Sequence, residues 1–136
     1  MKEEYVLYFD GCSKGNPGIA GAGTVIYKNE EEIYAESTFV GDYETNNVAE
    51  YTGIIIGLGY AVNNKIQKLL IRGDSNLVIK QMNGEYQVKS TNIKDYYDRA
   101  IRLAREIPSL TFQHVYRNDN KRADELANMG ILTRGH

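Results

Sequence analysis

Tyr5-Val6-Leu7-Tyr8-Phe9-Asp10, running into Gly11-Cys12-Ser13-Lys14-Gly15-Asn16-Pro17-Gly18, is the stretch on which the fold turns. Its first six residues are mostly strand formers. Their blurred alternation suits a strand partly covered on both faces. Gly11 to Gly18 reads as a loop, with Asn16-Pro17-Gly18 the strongest turn signal. An acid, Asp10, thus closes a strand at the mouth of a loop. Ala20 to Tyr27 is a second strand, and its Gly21 and Gly23 share one face, where something packs closely. Lys28-Asn29-Glu30 turns the chain into a third strand, Glu31 to Phe39. Three hairpin-linked antiparallel strands are the simplest arrangement.

The period then changes. Thr45, Asn46 or Asn47 caps a helix running to about Val62. Its Gly53, Gly57 and Gly59 make sense if it lies close against a sheet. Lys68-Leu69-Leu70-Ile71-Arg72-Gly73 is apolar at its centre and follows a helix, as a parallel strand does. Asp74-Ser75 caps a short helix, Asn76 to Met82. A third helix spans Asn92 to Glu106, with Asp95/Arg99 and Asp98/Arg102 spaced as i,i+4 pairs. Leu110 to Val115 alternates as a fifth strand. A last helix covers Asn120 to Met129, with Leu126 and Met129 inward and Gly130 as its stop. Ile131 to His136 is expected to be a loose tail. The order β-β-β-α-β-α-α-β-α gives an α/β fold: one mixed sheet flanked by helices.

The composition fits one domain of 136 residues, 42% of them apolar. A chain this long buries a sizeable core without staples. A lone cysteine excludes a disulfide framework, and one Cys with two His leaves no zinc site. No segment resembles a secretory leader or a membrane span, so a cytoplasmic protein is expected. The net charge of −2 argues against indiscriminate nucleic-acid binding. The charge is uneven, however: −7 over residues 1–50 and +5 over 51–136. That asymmetry raises the question of what the acids do.

Four carboxylates occupy similar places. Asp10 and Asp74 end strands, and Glu50 and Asp124 lie early in helices, where α/β sheets carry their sites. Together they would repel one another and raise a pKa, a cost that divalent cations relieve. Hard oxygen ligands favour Mg²⁺ or Mn²⁺. Spacing alone does not bring the four together, and unrelated surface acids would read the same way. Other motifs fail. Gly18 to Gly23 precedes a strand, not the helix of a dinucleotide site. Asp42 to Asn47 lacks the glycine and glutamate of a calcium hand. Tyr86, outside regular structure, is the best aromatic candidate for stacking on a base.

Asp10-Gly11-Cys12-Ser13-Lys14-Gly15-Asn16-Pro17-Gly18, Thr45-Asn46-Asn47-Val48-Ala49-Glu50, Gly73-Asp74-Ser75 and Asn120-Lys121-Arg122-Ala123-Asp124-Glu125-Leu126-Ala127 occur in that order. As a set they resemble the motifs of type 1 ribonuclease H, over about residues 5–129. The resemblance implies a single catalytic domain with a five-stranded sheet, its first strands antiparallel. It implies a site of Asp10, Glu50, Asp74 and Asp124 holding two Mg²⁺ ions, with Mn²⁺ as the other candidate. It implies hydrolysis of RNA paired with DNA, leaving 5′-phosphate and 3′-hydroxyl ends. Glu50 would also meet the RNA 2′-hydroxyl. Asn16, Asn46 and Asn47 match minor-groove residues, with Cys12, Ser13 and Lys14 beside them.

Two departures stand out. Many bacterial members carry a histidine before the last carboxylate. Here that loop has none, and Arg117 is the best phosphate contact in its place. The basic helix and handle of many members is also missing, with Tyr86, Lys89 and Lys94 as a minimal substitute. The resemblance to compact relatives that accept double-stranded RNA makes it a second candidate substrate. A monomer with no obligate protein partner is expected. The competing reading is a catalytically silent nucleic-acid-binding module.

Overall fold

The computed structural model describes residues 3–133. Strand β1 (Tyr5–Lys14) pairs antiparallel with β2 (Gly18–Lys28), which pairs antiparallel with β3 (Glu31–Glu44). Helix α1 (Asn46–Asn63) leads to β4 (Lys68–Gly73). Helices α2 (Asn76–Met82) and α3 (Thr91–Ala104) precede β5 (Ser109–His114), and a short 3-10 turn, Arg117–Asp119, precedes α4 (Lys121–Leu132). Both β4 pairings are parallel, giving the sheet order β3-β2-β1-β4-β5. The mixed α/β architecture and the element order are those the sequence predicts.

The alternation of β1 and β4 decides which helix goes where. Leu7 and Phe9 of β1 and Leu69 and Ile71 of β4 point to one face. There they pack with Val48, Tyr51, Ile54 and Leu58 of α1, joined by Val78 and Ile93. On the opposite face, Val25 packs with Ala123 and Leu126 of α4. Helix starts follow local chemistry. The Thr45 hydroxyl accepts from the Val48 N–H at 3.2 Å, and the Ser75 hydroxyl accepts from the Val78 N–H.

Several expectations change. The stretch Gly11 to Gly18 is not a loop: β1 continues to Lys14, paired in register with Ile19 to Ala22, and only residues 15–17 turn. A continuous ladder satisfies that backbone, and Gly15 takes φ +109 in the turn. Strand β3 likewise extends to Glu44, with bulges in its pairing to β2. Gly130 does not stop the last helix. It continues the buried row Ala123, Leu126, Ala127, leaving Met129 exposed rather than inward. Ile131 and Leu132 finish α4, and the last three residues of the expected tail lie outside the described residues. On α3 the ion pair is Lys94–Asp98, at 2.8 Å, while Arg99 lies over the Tyr96 ring.

The glycines of β2 explain how α4 docks. A Cβ on Gly21 would overlap the Ala127 carbonyl, and one on Gly23 would overlap that of Ala123. Gly57 of α1 meets Leu7 of β1 in the same way, but Gly59 faces open space. Gly23→Val should therefore lower the urea stability by about 3 kcal/mol, through overpacking beneath α4. Gly59→Ala should raise it by about 0.5–1 kcal/mol through helix propensity. The two denaturation midpoints, moving in opposite directions, check the packing.

Candidate metal and nucleic-acid site

The carboxylate cleft lies where the parallel pairing of β1 with β4 stops, at Phe9 and Gly73: β4 ends there, whereas Asp10, expected to close its strand, lies inside β1, which runs on to Lys14 paired with β2. Asp10 follows Phe9 on β1, and Asp74 follows Gly73, the last residue of β4. Glu50 is the fifth residue of α1 and reaches them because α1 lies directly on β1. A Cβ at Gly11 would overlap the Glu50 nitrogen and the Ala49 side chain. Asp124 comes from the first turn of α4.

Asp10, Glu50 and Asp74 each offer an oxygen, and these oxygens lie within 4.8 Å of one another. Asp10 and Glu50 are both only 6% exposed. Asp124 lines the same cleft and shares a hydrogen bond with Asp10. No basic side chain is ion-paired to any of the four among the described residues. Burial, then the charge of Asp74 and the hydrogen bond with Asp124, push the Asp10 carboxyl up to about 7. Burial and the neighbouring Asp10 and Asp74 raise Glu50 well above the carboxylate range. Asp74 is raised by burial, while Asn120 and Arg117 pull it back down.

Glu50 Oε2 is buried without a hydrogen-bond partner. An orphaned carboxylate oxygen beside two more carboxylates fits a hard divalent cation. These residues can therefore bind a metal ion.

The rest of the cleft, about 640 Å³ in volume, has two walls. One carries Cys12, Ser13, Lys14, Asn46 and Asn47, and the other carries Ser75, His114, Tyr116 and Arg117. The first wall is braced. The Ser13 N–H donates to Asn46 Oδ1 at 2.7 Å, and the Asn46 N–H donates to Asn16 Oδ1 at 2.9 Å. Asn16 thus supports this wall from behind. Tyr86 is not brought to the cleft: it is half-exposed beyond α2, with Lys80 Nζ 4.9 Å from its ring centroid. Lys94 is occupied with Asp98. Residues 83–90 join α2 to α3 without a helix, so no basic handle stands there.

Comparison with known proteins agrees with this geometry. A family model described as reverse transcriptase-like matches residues 8–130. A ribonuclease HI of Halobacterium salinarum is 38% identical over 124 residues, covering 91% of this chain and 62% of its own. The type 1 ribonuclease H structure from that organism superposes with a TM-score of 0.88 at 33% identity, covering 94% of this chain and 97% of that one. The chain belongs to the type 1 ribonuclease H family. A bifunctional protein of Mycobacterium tuberculosis is 40% identical over 90% of this chain, which spans only 34% of that protein. Its N-terminal ribonuclease H domain superposes with a TM-score of 0.91 at 36% identity, over 96% of this chain and 94% of that one. A ribonuclease H isolated from compost, solved in complex with an RNA/DNA hybrid, matches with a TM-score of 0.87 at 34% identity, over 94% and 96% of the two chains.

Within this ribonuclease H fold, sequence reasoning missed several cleft residues. Ser75 is visible there only as a helix cap, and Tyr116 gives no signal at all. His114, which reads as structural in its strand, reaches the cleft and packs edge-on against Tyr116. Asn128, one turn beyond Asp124, donates to the Asp124 carbonyl at 2.9 Å and accepts from Lys14 Nζ at 3.4 Å.

The raised carboxyls couple stability to pH. Folded Asp10 keeps a proton up to about pH 7, whereas the unfolded chain releases it near 4. Its contribution is therefore complete below pH 4 and is lost as pH rises through 7, falling by at most about 1.4 kcal/mol per pH unit. In chelator, the wild-type melting temperature should fall from pH 5 to pH 8 more steeply than that of Asp10→Asn. At pH 8 the variant should be the more stable protein by about 2 kcal/mol. Equal slopes in paired melts would refute the assignment.

Proposed function

We propose that this chain is an endonuclease that hydrolyses the RNA strand of RNA–DNA hybrids with Mg²⁺ bound at Asp10, Glu50, Asp74 and Asp124. The observation that carries the reading is the meeting of Asp10, Glu50 and Asp74 oxygens within 4.8 Å, two of the three residues nearly dry. Three all-oxygen ligands in one place favour Mg²⁺, with Mn²⁺ the natural competitor. Divalent ions bound here supply Lewis acidity for in-line displacement at phosphorus, two of them in the substrate complex.

The chain's own residues divide the remaining work. The four carboxylates would hold the metal where the β1–β4 pairing stops. Lys14 and Arg117, on opposite walls, meet phosphates. Asn46 has its Oδ1 committed to the Ser13 N–H, so its Nδ2 is left to donate to sugars and base edges in the minor groove. Asn47, Cys12 and Ser13 complete that wall, and Asn16 braces it through the Asn46 N–H. Glu50, beside Asp10, also accepts from the RNA 2′-hydroxyl, the group that separates RNA from DNA. Water attacks phosphorus, the bond to O3′ breaks, and O3′ takes a proton. The products carry 5′-phosphate and 3′-hydroxyl ends.

A single domain working as a monomer in the cytoplasm suits this chemistry. Among the described residues no helix is long and apolar enough to cross a membrane. Tyr86 does not line the cleft. With Lys89, it would meet the duplex only further along.

The test compares labelled hybrid, RNA duplex, DNA duplex and single-stranded RNA, with and without Mg²⁺. The hybrid should be cut only with metal, leaving 5′-phosphate ends. Asp10→Asn should lower the rate by about 1,000-fold, equivalent to about 4 kcal/mol, with the fold intact. Cleavage of the RNA duplex as well would widen the substrate range. Metal-independent hybrid binding with no cleavage would instead identify a silent binding module.

A further inference from the structure

Asn120 is 1% exposed and sits between the last two elements of the chain. Its Nδ2 donates to the Phe9 carbonyl at 2.9 Å, one residue before Asp10. The same amide faces the Asp74 carboxylate and holds its pKa down. Both partners are acceptors, so the amide nitrogen must face them. Its Oδ1 is then left buried with no donor. A fold does not leave a dry acceptor unpartnered without a reason, and here the reason is that the amide nitrogen is needed elsewhere.

The main chain of Asn120 completes the node. Its carbonyl accepts from the Asp124 N–H at 3.1 Å, and its N–H donates to the Arg117 carbonyl at 3.0 Å. One residue therefore ties β1 at Phe9, the end of β4, the first turn of α4 and the Arg117 turn. Three of the four carboxylates hang from those elements.

We propose that Asn120 is a positioning residue whose side-chain amide, donating to the Phe9 carbonyl and facing Asp74, ties β1 to β4 where their pairing stops, setting the separation of Asp10 and Asp74 that a divalent cation requires. This rests on the reading of those carboxylates as metal ligands. Only a primary amide fits the place. A carboxylate would oppose the Phe9 carbonyl and Asp74, a hydroxyl has one donor, and alanine has none. Asn120 touches neither substrate nor reacting atoms, so its influence passes through the geometry of Asp10 and Asp74.

The proposal separates position from charge. Asn120→Asp adds a negative charge near the metal site, so by charge alone it would tighten Mg²⁺ binding. If Asn120 positions the ligands, the same substitution weakens binding. Calorimetric titration of substrate-free protein with Mg²⁺ should give a Kd raised about tenfold in Asn120→Ala and further in Asn120→Asp. Asn120→Ser, with one donor left, should fall between wild type and alanine. With hybrid at limiting Mg²⁺, kcat should drop about tenfold while KM stays within twofold. Val25→Ala, in the core under α4 and remote from the cleft, controls for lost stability. It should melt earlier with Mg²⁺ affinity unchanged.

Folded Asn120→Ala or Asn120→Ser with wild-type Mg²⁺ affinity would overturn the proposal, as would tighter binding by Asn120→Asp. A Val25→Ala protein that loses Mg²⁺ affinity as much as Asn120→Ala would reduce Asn120 to a stability residue and overturn it too. Wild-type protein that neither binds Mg²⁺ nor cuts the hybrid would overturn the functional reading along with it. Wild-type protein that does both, matched by the variants, would sink this inference alone.

Discussion

Helix α1 lies against β1 with no side chain between them at Gly11, and the rest of the site depends on that contact. A methyl group there would collide with the α1 backbone at Ala49 and Glu50. Relieving the collision would lift the helix and carry Glu50 away from Asp10. The neighbouring contacts hold the same closeness. Gly57 seats the helix over Leu7, and the buried Thr24 hydroxyl donates to the Gly53 carbonyl at 2.7 Å. Small residues here trade helix propensity for proximity. The proximity is useful because it forces two acids together where water is scarce.

That forced meeting has an electrostatic cost. Two nearly buried carboxylates, with a third close by, face no ion-paired base among the described residues. The metal-free protein answers by holding protons, which is why Asp10 and Glu50 titrate high. A divalent cation bound here would replace those protons with one compact charge and return the oxygens to their ionised form. Stability and metal binding are thus two outcomes of one arrangement: what strains the empty cluster is what favours the ion. The negative balance of residues 1–50 also changes meaning. Two of its ten acids, Asp10 and Glu50, are drawn into this cluster, while others such as Glu32 serve ordinary pairs, here with Arg122.

The elements were legible wherever one chemical signal dominated. Leu69 and Ile71 marked β4 to its exact ends, and Ser75 marked α2, because periodicity and capping act locally. Glycine misled in both directions. Gly11 looked like the start of a loop and Gly130 like a helix stop, yet both serve close packing: Gly11 under α1 and Gly130 against the Thr38 backbone. A missing side chain reads identically in sequence whether it frees a turn or admits a neighbour. Asp10, Glu50, Asp74 and Asp124 stood out as motifs, but their meeting is a property of the sheet order, which no spacing of 40, 24 and 50 residues contains. Asn120 and Tyr116 stayed hidden because one acts through burial and the other through a loop's path.

The positive half of the chain is spent mostly away from the cleft. Arg122 pairs with Glu32 and Glu125, Arg72 with the Tyr8 hydroxyl and Gln113, and Lys94 with Asp98. Among the described residues, the cleft holds Lys14 and Arg117 as its cations. A polyanion gripped by two cations releases few counterions on binding, so its affinity changes gently with salt. Under the proposed function, recognition would rest more on the uncharged side chains Ser13, Asn46 and Asn47, and on the metal, than on phosphate attraction. Such side chains read the shape and sugars of a duplex. Selectivity under the proposed function would then follow from how rigidly Asn46 is braced, by the Ser13 N–H on one side and by Asn16 behind.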